Sequence, residues 1–106
     1  NNQKTTVESI KFDSRKEARR YQELIWMEKA GEITGIKVHP RFDIIINDQK
    51  ICAYIADFEY WVKFEDVSKC PERVIEDVKS KPTKTAIYQL KKKLMKACLG
   101  IEVIEV

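Results

Sequence analysis

Five charged residues stand where a folded chain would turn them inward: Glu17, Asp57, Asp77, Lys79 and Lys91. Asp57 interrupts an otherwise apolar run, ICAYIADFEYWVKF, over residues 51–64. Asp77 and Lys79 lie two apart in ERVIEDVK, residues 72–79. On a strand that spacing puts both on one face and turns Glu76 to the other. If the strands carrying Asp57 and Asp77 pair as a hairpin, the two acids come close. Glu17 falls in the helical sector of Tyr21, Leu24 and Ile25, and Lys91 in that of Ile87, Leu94 and Cys98. Buried charge is costly unless it is paired or holds a metal. The chemistry that suits this set is metal-assisted phosphodiester hydrolysis. Hard carboxylate oxygens bind Mg²⁺, with Mn²⁺ as the expected substitute. The ion polarises a phosphoryl oxygen and activates water, and a neighbouring lysine stabilises the charge that develops. Asp57 and Asp77 would be metal ligands, Lys79 the catalytic lysine, Glu17 an outer or second-metal carboxylate, and Lys91 a phosphate holder.

Each residue also has a plainer reading. Asp77 and Lys79 alone would make an ordinary surface ion pair. Glu17 is also the acid of a capping box, and Lys91 a side chain that snorkels past the core edge. Glu59, on the face of Asp57, could serve as an extra ligand but reads rather as an exposed strand end. His39, before Pro40, reads as structural or incidental. Ser68 has no partnered histidine and acid by sequence. Cys52, Cys70 and Cys98 form no CxxC pair and read as buried or incidental thiols, so a disulfide scaffold or zinc module is not expected and a reducing cytosol is the natural setting.

Positioning these groups falls to a chain of 106 residues, enough for one domain. Hydrophobic residues make up 43% and charged residues 35%, which indicates a soluble globular domain rather than a disordered tail. No apolar run approaches the roughly 20 residues that span a bilayer, so no membrane association is expected. The chain begins Asn1-Asn2 without Met, so the numbered start need not be the encoded one. The net charge is only +3, but its distribution is uneven. Lysines crowd residues 79–96 without an acid among them, and Lys11, Arg15, Lys16, Arg19 and Arg20 form a second basic cluster. Such blocks commonly face a polyanion, or are simply solvated helix faces.

Residues 1–12 show no period and read as an irregular lead-in. Ser14 and Glu17 open a helix as N-cap and capping-box acid. It should run over 15–30 and stop at Gly31, burying Ala18, Tyr21, Leu24 and Ile25. Trp26, off that sector, could be a surface aromatic for a partner, but the expectation is that it covers another part of the core. Residues 36–47 and 51–64 read as strands, with Pro40 at a bend and a polar turn at Asn47–Lys50. Residues 72–79 are a third strand. A second helix should start near Pro82 or Thr83, bury Ile87, Leu90, Leu94 and Cys98, and stop at Gly100. IEVIEV closes the chain as a strand parallel to the third. The expected fold is α/β: helix, three-strand meander, helix and strand, with a mixed sheet flanked by helices.

A helical Glu, then Asp, then (Asp/Glu)-x-Lys in that order of elements resembles the PD-(D/E)XK nuclease superfamily. The runs DSRKEARRYQEL, AGEITGIKVHPRFDI, YIADFEYW, VIEDVKS and YQLKKKLMKACLGIEV resemble a phage and prophage family of unknown function grouped with those nucleases and with junction resolvases. The likeness covers residues 13–106, implying a single domain with a restriction-endonuclease-like core. It places Glu17, Asp57, Asp77 and Lys79 at the catalytic positions. Ala56 stands where the motif has Pro, and Ser80 where relatives usually have Gly. The resemblance implies a Mg²⁺-dependent DNA endonuclease, acting on branched DNA in phage recombination or replication, in the cytoplasm of a bacterial host and as a homodimer. Lys91, Arg15, Arg19, Lys84 and Lys92 would grip DNA phosphates. The competing readings are a non-catalytic nucleic-acid-binding module using the lysine-rich helix 84–98, and a protein-interaction subunit.

Overall fold

The computed structural model describes residues 5–7, 10–79 and 84–106, the first of these stretches by its backbone alone. The elements, in order, are β1 (Thr5–Val7), β2 (Ile10–Phe12), α1 (Arg15–Lys29), β3 (Ile33–Val38), β4 (Arg41–Ile46), β5 (Gln49–Ile55), β6 (Phe58–Val62), β7 (Glu72–Asp77), α2 (Ala86–Leu99) and β8 (Ile104–Glu105). Strands β3, β6, β7 and β8 form a four-stranded sheet in that order, and β7 and β8 run parallel. An α/β fold with α1 ahead of the sheet and α2 as the crossover from β7 to β8 is compatible with the restriction-endonuclease-like core expected from sequence. Among the described residues, no helix is long and apolar enough to cross a membrane.

The chain divides into two compact units, Asn1–Ile36 with Tyr60–Arg73, and Lys37–Glu59 with Val74–Val106. In the first unit the expected irregular lead-in is corrected: β1 and β2 pair antiparallel, Thr5 opposite Phe12 and Val7 opposite Ile10. Three-residue strands are too short to show a period, but their β-branched and aromatic residues suit a pleated surface. The α1 helix packs on this hairpin, with Phe12 fully buried and its ring 5.2 Å from that of Tyr21. The helix follows its sequence signals. The Ser14 side chain accepts the Glu17 N–H at 3.1 Å, and Ala18, Tyr21, Leu24 and Ile25 are buried. Gly31, just past the end, takes the left-handed φ of 81° that glycine adopts without a steric penalty. Trp26 is 62% exposed, which corrects the expectation that it covers part of the core.

In the second unit two expected strands each break in half. Residues 36–47 break at His39-Pro40, and residues 51–64 at Ala56-Asp57. The breaks face each other: the His39 N–H donates to the Asp57 carbonyl at 2.9 Å, and the Ala56 N–H to the Pro40 carbonyl at 3.1 Å. Proline has no N–H to give the ladder and its φ is fixed. His39 takes the left-handed φ of 55°, a region histidine tolerates better than most residues. Beyond the break, β4 and β5 pair as a separate antiparallel hairpin. Its turn, Asn47-Asp48, has φ of 51° and 63°, the two positive values of a tight primed turn.

The α2 helix packs on this hairpin. It begins at Ala86, with the Thr85 hydroxyl accepting the Tyr88 N–H at 3.1 Å, and ends at Gly100 with φ 68°. The expected start at Pro82 or Thr83 lies outside the described residues, as does Ser80. The expected apolar stripe is corrected. Ile87 and Leu90 are 68% and 58% exposed, whereas Tyr88 and Met95 are buried. The buried face is turned by roughly a quarter of a revolution from the one the aliphatic spacing suggests. The core here joins Ile44, Tyr54, Ala56, Ile75, Tyr88, Met95 and Val103, with Leu94, Cys98 and Cys52 partly buried against it. The cysteines are all free thiols.

Candidate active site

The strand break places the acids. At the end of β7, Asp77 is buried to 2% exposure. Its Oδ1 accepts the Asp57 N–H at 3.0 Å, and its Oδ2 accepts the Tyr54 hydroxyl. The Asp57 carboxylate reaches back, its Oδ2 accepting the Val78 N–H at 2.7 Å. Each aspartate thus caps the backbone beside the other. This follows from the break at Ala56-Asp57, which leaves the Asp57 N–H pointing to β7, where the Glu76 carbonyl also lies 3.1 Å away. The proximity of Asp57 and Asp77 expected from strand pairing is therefore present.

Past β7, the Lys79 N–H donates to the Val106 carbonyl at 3.2 Å, and the Val106 N–H donates to the Asp77 carbonyl at 2.9 Å. These bonds hold the motif segment against β8. The Lys79 ammonium stands 4.6 Å from the centre of the Tyr88 ring. The Tyr88 hydroxyl donates to Glu105 Oε2 at 2.8 Å, and Glu105 lies opposite Asp77 in the parallel register. Burial, the bond to Glu105 and the charges of Asp77, Glu105 and Asp57 push the Tyr88 hydroxyl above the usual tyrosine range, so it stays a donor. The Tyr54 and Tyr88 ring centres are 6.4 Å apart.

Glu105 gathers two cations, Lys84 just ahead of α2 and Lys92 on it. Lys84 Nζ is 3.1 Å from Oε1 and Lys92 Nζ is 3.4 Å from Oε2. The Tyr88 bond first, then Lys84 and Lys92, hold its carboxyl down at about 2. The stability from these contacts is fully present above the ordinary value of 4.5 and is lost as pH falls toward about 2. The difference in melting temperature between the native protein and Glu105→Gln should therefore narrow steadily between those pH values, read by circular dichroism. A difference that stays constant through the window would rule this contribution out.

Lys91 is half-buried, and its Nζ donates to the Ala53 carbonyl of β5 at 3.1 Å. Lys84 and Lys92 converge on Glu105 as described. Arg15 and Arg19 are exposed on α1 in the first unit. Glu17, also in that unit, is buried to 6% exposure one turn into α1. Glu59, expected at an exposed strand end, is buried to 4% with Lys37 Nζ 3.7 Å away. His39, which the sequence marks as structural or incidental, offers a ring nitrogen within 4.8 Å of an Asp57 carboxylate oxygen. Sequence reasoning also missed Tyr54, Tyr88 and Glu105. A buried tyrosine hydroxyl needs a partner, and that requirement was the available signal for the two tyrosines.

The donor set fits a divalent cation. A carboxylate oxygen carries two lone pairs, so one hydrogen bond does not exhaust it. Asp57 and Asp77 are hard oxygen donors of the kind that suits Mg²⁺ or Mn²⁺, and a His39 ring nitrogen stands near the Asp57 carboxylate.

Neither the curated proteins nor the solved structures gave a significant match. The family described as "Protein of unknown function (DUF1064)" matches residues 1–100, which takes in every element except β8. With that match over nearly all its length, the chain belongs to the DUF1064 family.

Proposed function

We propose that this protein is a metal-dependent deoxyribonuclease of the PD-(D/E)XK kind, hydrolysing phosphodiester bonds in DNA with Mg²⁺, or Mn²⁺ in its place. The observation that carries this reading is the interlock of Asp57 with Asp77 beside the segment that bears Lys79. Two carboxylates fixed by reciprocal backbone bonds need little reorganisation to present oxygens to an ion. A divalent ion, when bound, supplies Lewis-acid polarisation of the phosphoryl oxygen and a more acidic water. Asp57 and Asp77 would hold it. Lys79 would place its ammonium at the phosphoryl oxygens as charge builds there. The resemblance gives Glu17 a further carboxylate role, tested by Glu17→Gln. Arg15, Arg19 and Lys91, with Lys84 and Lys92 once exchanged from Glu105, would engage backbone phosphates without reading bases.

Branched DNA is the proposed substrate, in phage recombination or replication within a bacterial cytoplasm. Paired cuts at a junction call for a homodimer. One observation favours the competing reading of a non-catalytic DNA-binding module: Asp57 and Asp77 already serve as backbone caps, which is a sufficient structural role. The deciding experiment incubates labelled four-way junction, flap, single-stranded and linear duplex DNA with the protein and Mg²⁺ or Mn²⁺. Metal-dependent cutting, strongest on the branched forms, is the expected result. Binding without cutting on every substrate would replace this reading with the module.

A further inference from the structure

The Lys79 side chain has a flexible four-carbon stem between backbone and ammonium, and a lysine ammonium has no rigid fork to orient it. Something must fix it before its charge can be useful. In the structure its Nζ lies over the face of Tyr88 at 4.6 Å from the ring centre, inside the range where the ring quadrupole attracts a cation. The ring is itself held. Tyr88 is 8% exposed and sits in the core with Ile44, Tyr54 and Met95. Its hydroxyl is tied to Glu105 at 2.8 Å, and Glu105 is tied in turn to Lys84 and Lys92. The backbone of Lys79 is pinned separately, by its N–H to Val106. Main chain and side chain are therefore fixed by different partners.

We infer that Tyr88 is a positioning residue for Lys79: its ring face holds the ammonium beside the Asp57–Asp77 pair, and its bond to Glu105 sets the plane of that ring. The inference rests on the nuclease reading for its catalytic consequence, but not for its geometry. The ring, rather than the hydroxyl, makes the contact with Lys79. Phenylalanine should therefore keep most of the function, and an aliphatic residue of similar bulk should not.

The test combines single-turnover cleavage at saturating DNA with NMR of the lysine side chains, the Lys79 signals being assigned from their loss in Lys79→Met. In the wild type, the Lys79 Hε protons should show an upfield ring-current displacement. Tyr88→Phe, which keeps the ring but loses its tie to Glu105, should keep only part of that displacement and stay within about fivefold of the wild-type rate. Tyr88→Leu should lose it and slow cleavage roughly 10- to 100-fold, with DNA affinity unchanged. Glu105→Gln, which leaves the ring in place, should reduce the displacement only partly. A wild type without the displacement would overturn the inference directly, whether or not Tyr88→Leu folds. Equal rates for Tyr88→Leu and wild type, with the displacement lost, would overturn the positioning role. A wild type that shows the displacement but cuts no DNA would instead sink the nuclease reading, and with it the catalytic consequence of this contact.

Discussion

Asp77→Asn should leave a folded protein that binds DNA but cuts it at least about 10³-fold more slowly, since a metal ligand acts on several kcal/mol of transition-state charge. The exchange is close to isosteric, so packing around the side chain is kept. Asp77 accepts from two donors, the Tyr54 hydroxyl and the Asp57 N–H. Asparagine can still accept from the Asp57 N–H, while its NH₂ group faces a tyrosine oxygen that can turn and accept. The structural cost should therefore be about 1 kcal/mol, visible as a small fall in melting temperature. Lys79→Met is the companion variant. It keeps an apolar stem against Tyr88, removes the ammonium, and should slow cleavage roughly 10²- to 10³-fold. Both are read in the junction and duplex assay with Mg²⁺, alongside gel-shift binding. Retention of wild-type cutting by either folded variant would remove its residue from the proposed machinery.

Met95→Ala should be the most damaging single truncation on α2, costing about 2–5 kcal/mol in denaturant unfolding. Met95 is fully buried within the core of the second unit. Removing its side chain leaves a cavity between α2 and the β4–β5 hairpin that rigid neighbours refill only in part. Ile87→Ala and Leu90→Ala, by contrast, should each change stability by about 0.5 kcal/mol or less, as surface positions do. These residues are 68% and 58% exposed. The aliphatic spacing alone assigns the opposite ranking. If Leu90→Ala cost more than Met95→Ala, the orientation of α2 described above would be wrong.

That contrast shows where the sequence was legible and where it was not. The α1 helix could be read because its signals agree: Ser14 as cap, Ala18, Tyr21, Leu24 and Ile25 on one sector, and Gly31 beyond the end. On α2 two stripes compete. The more aliphatic one, through Ile87 and Leu90, loses to one built on Tyr88 and Met95. The choice is made by the β4–β5 hairpin the helix packs on, which no local pattern reveals. Asp57 and Asp77 do meet, as strand pairing suggested, but through the break at Ala56-Asp57 rather than by alternation along an unbroken strand. The break at Asp57 was not foreseen, because it lies opposite the one at His39-Pro40, a pairing that no local pattern gives. Glu105 was missed although the parallel partner of β7 was expected; without the register, nothing marked it as the residue opposite Asp77.

The β7–β8 clamp also has a consequence for the order of assembly. Asp77 and Lys79 exchange backbone bonds with Val106, a residue reached only after the whole of α2 has been traversed. Such a contact between distant positions forms only once the intervening loop has been closed. A fragment holding both aspartates and the lysine, but lacking the last strand, would contain every acid and base of the motif with its lysine unmoored. The motif is thus silent as a string of residues. A chain caught partway to its native state carries no competent centre, so whatever this site does is reserved for molecules that have finished folding.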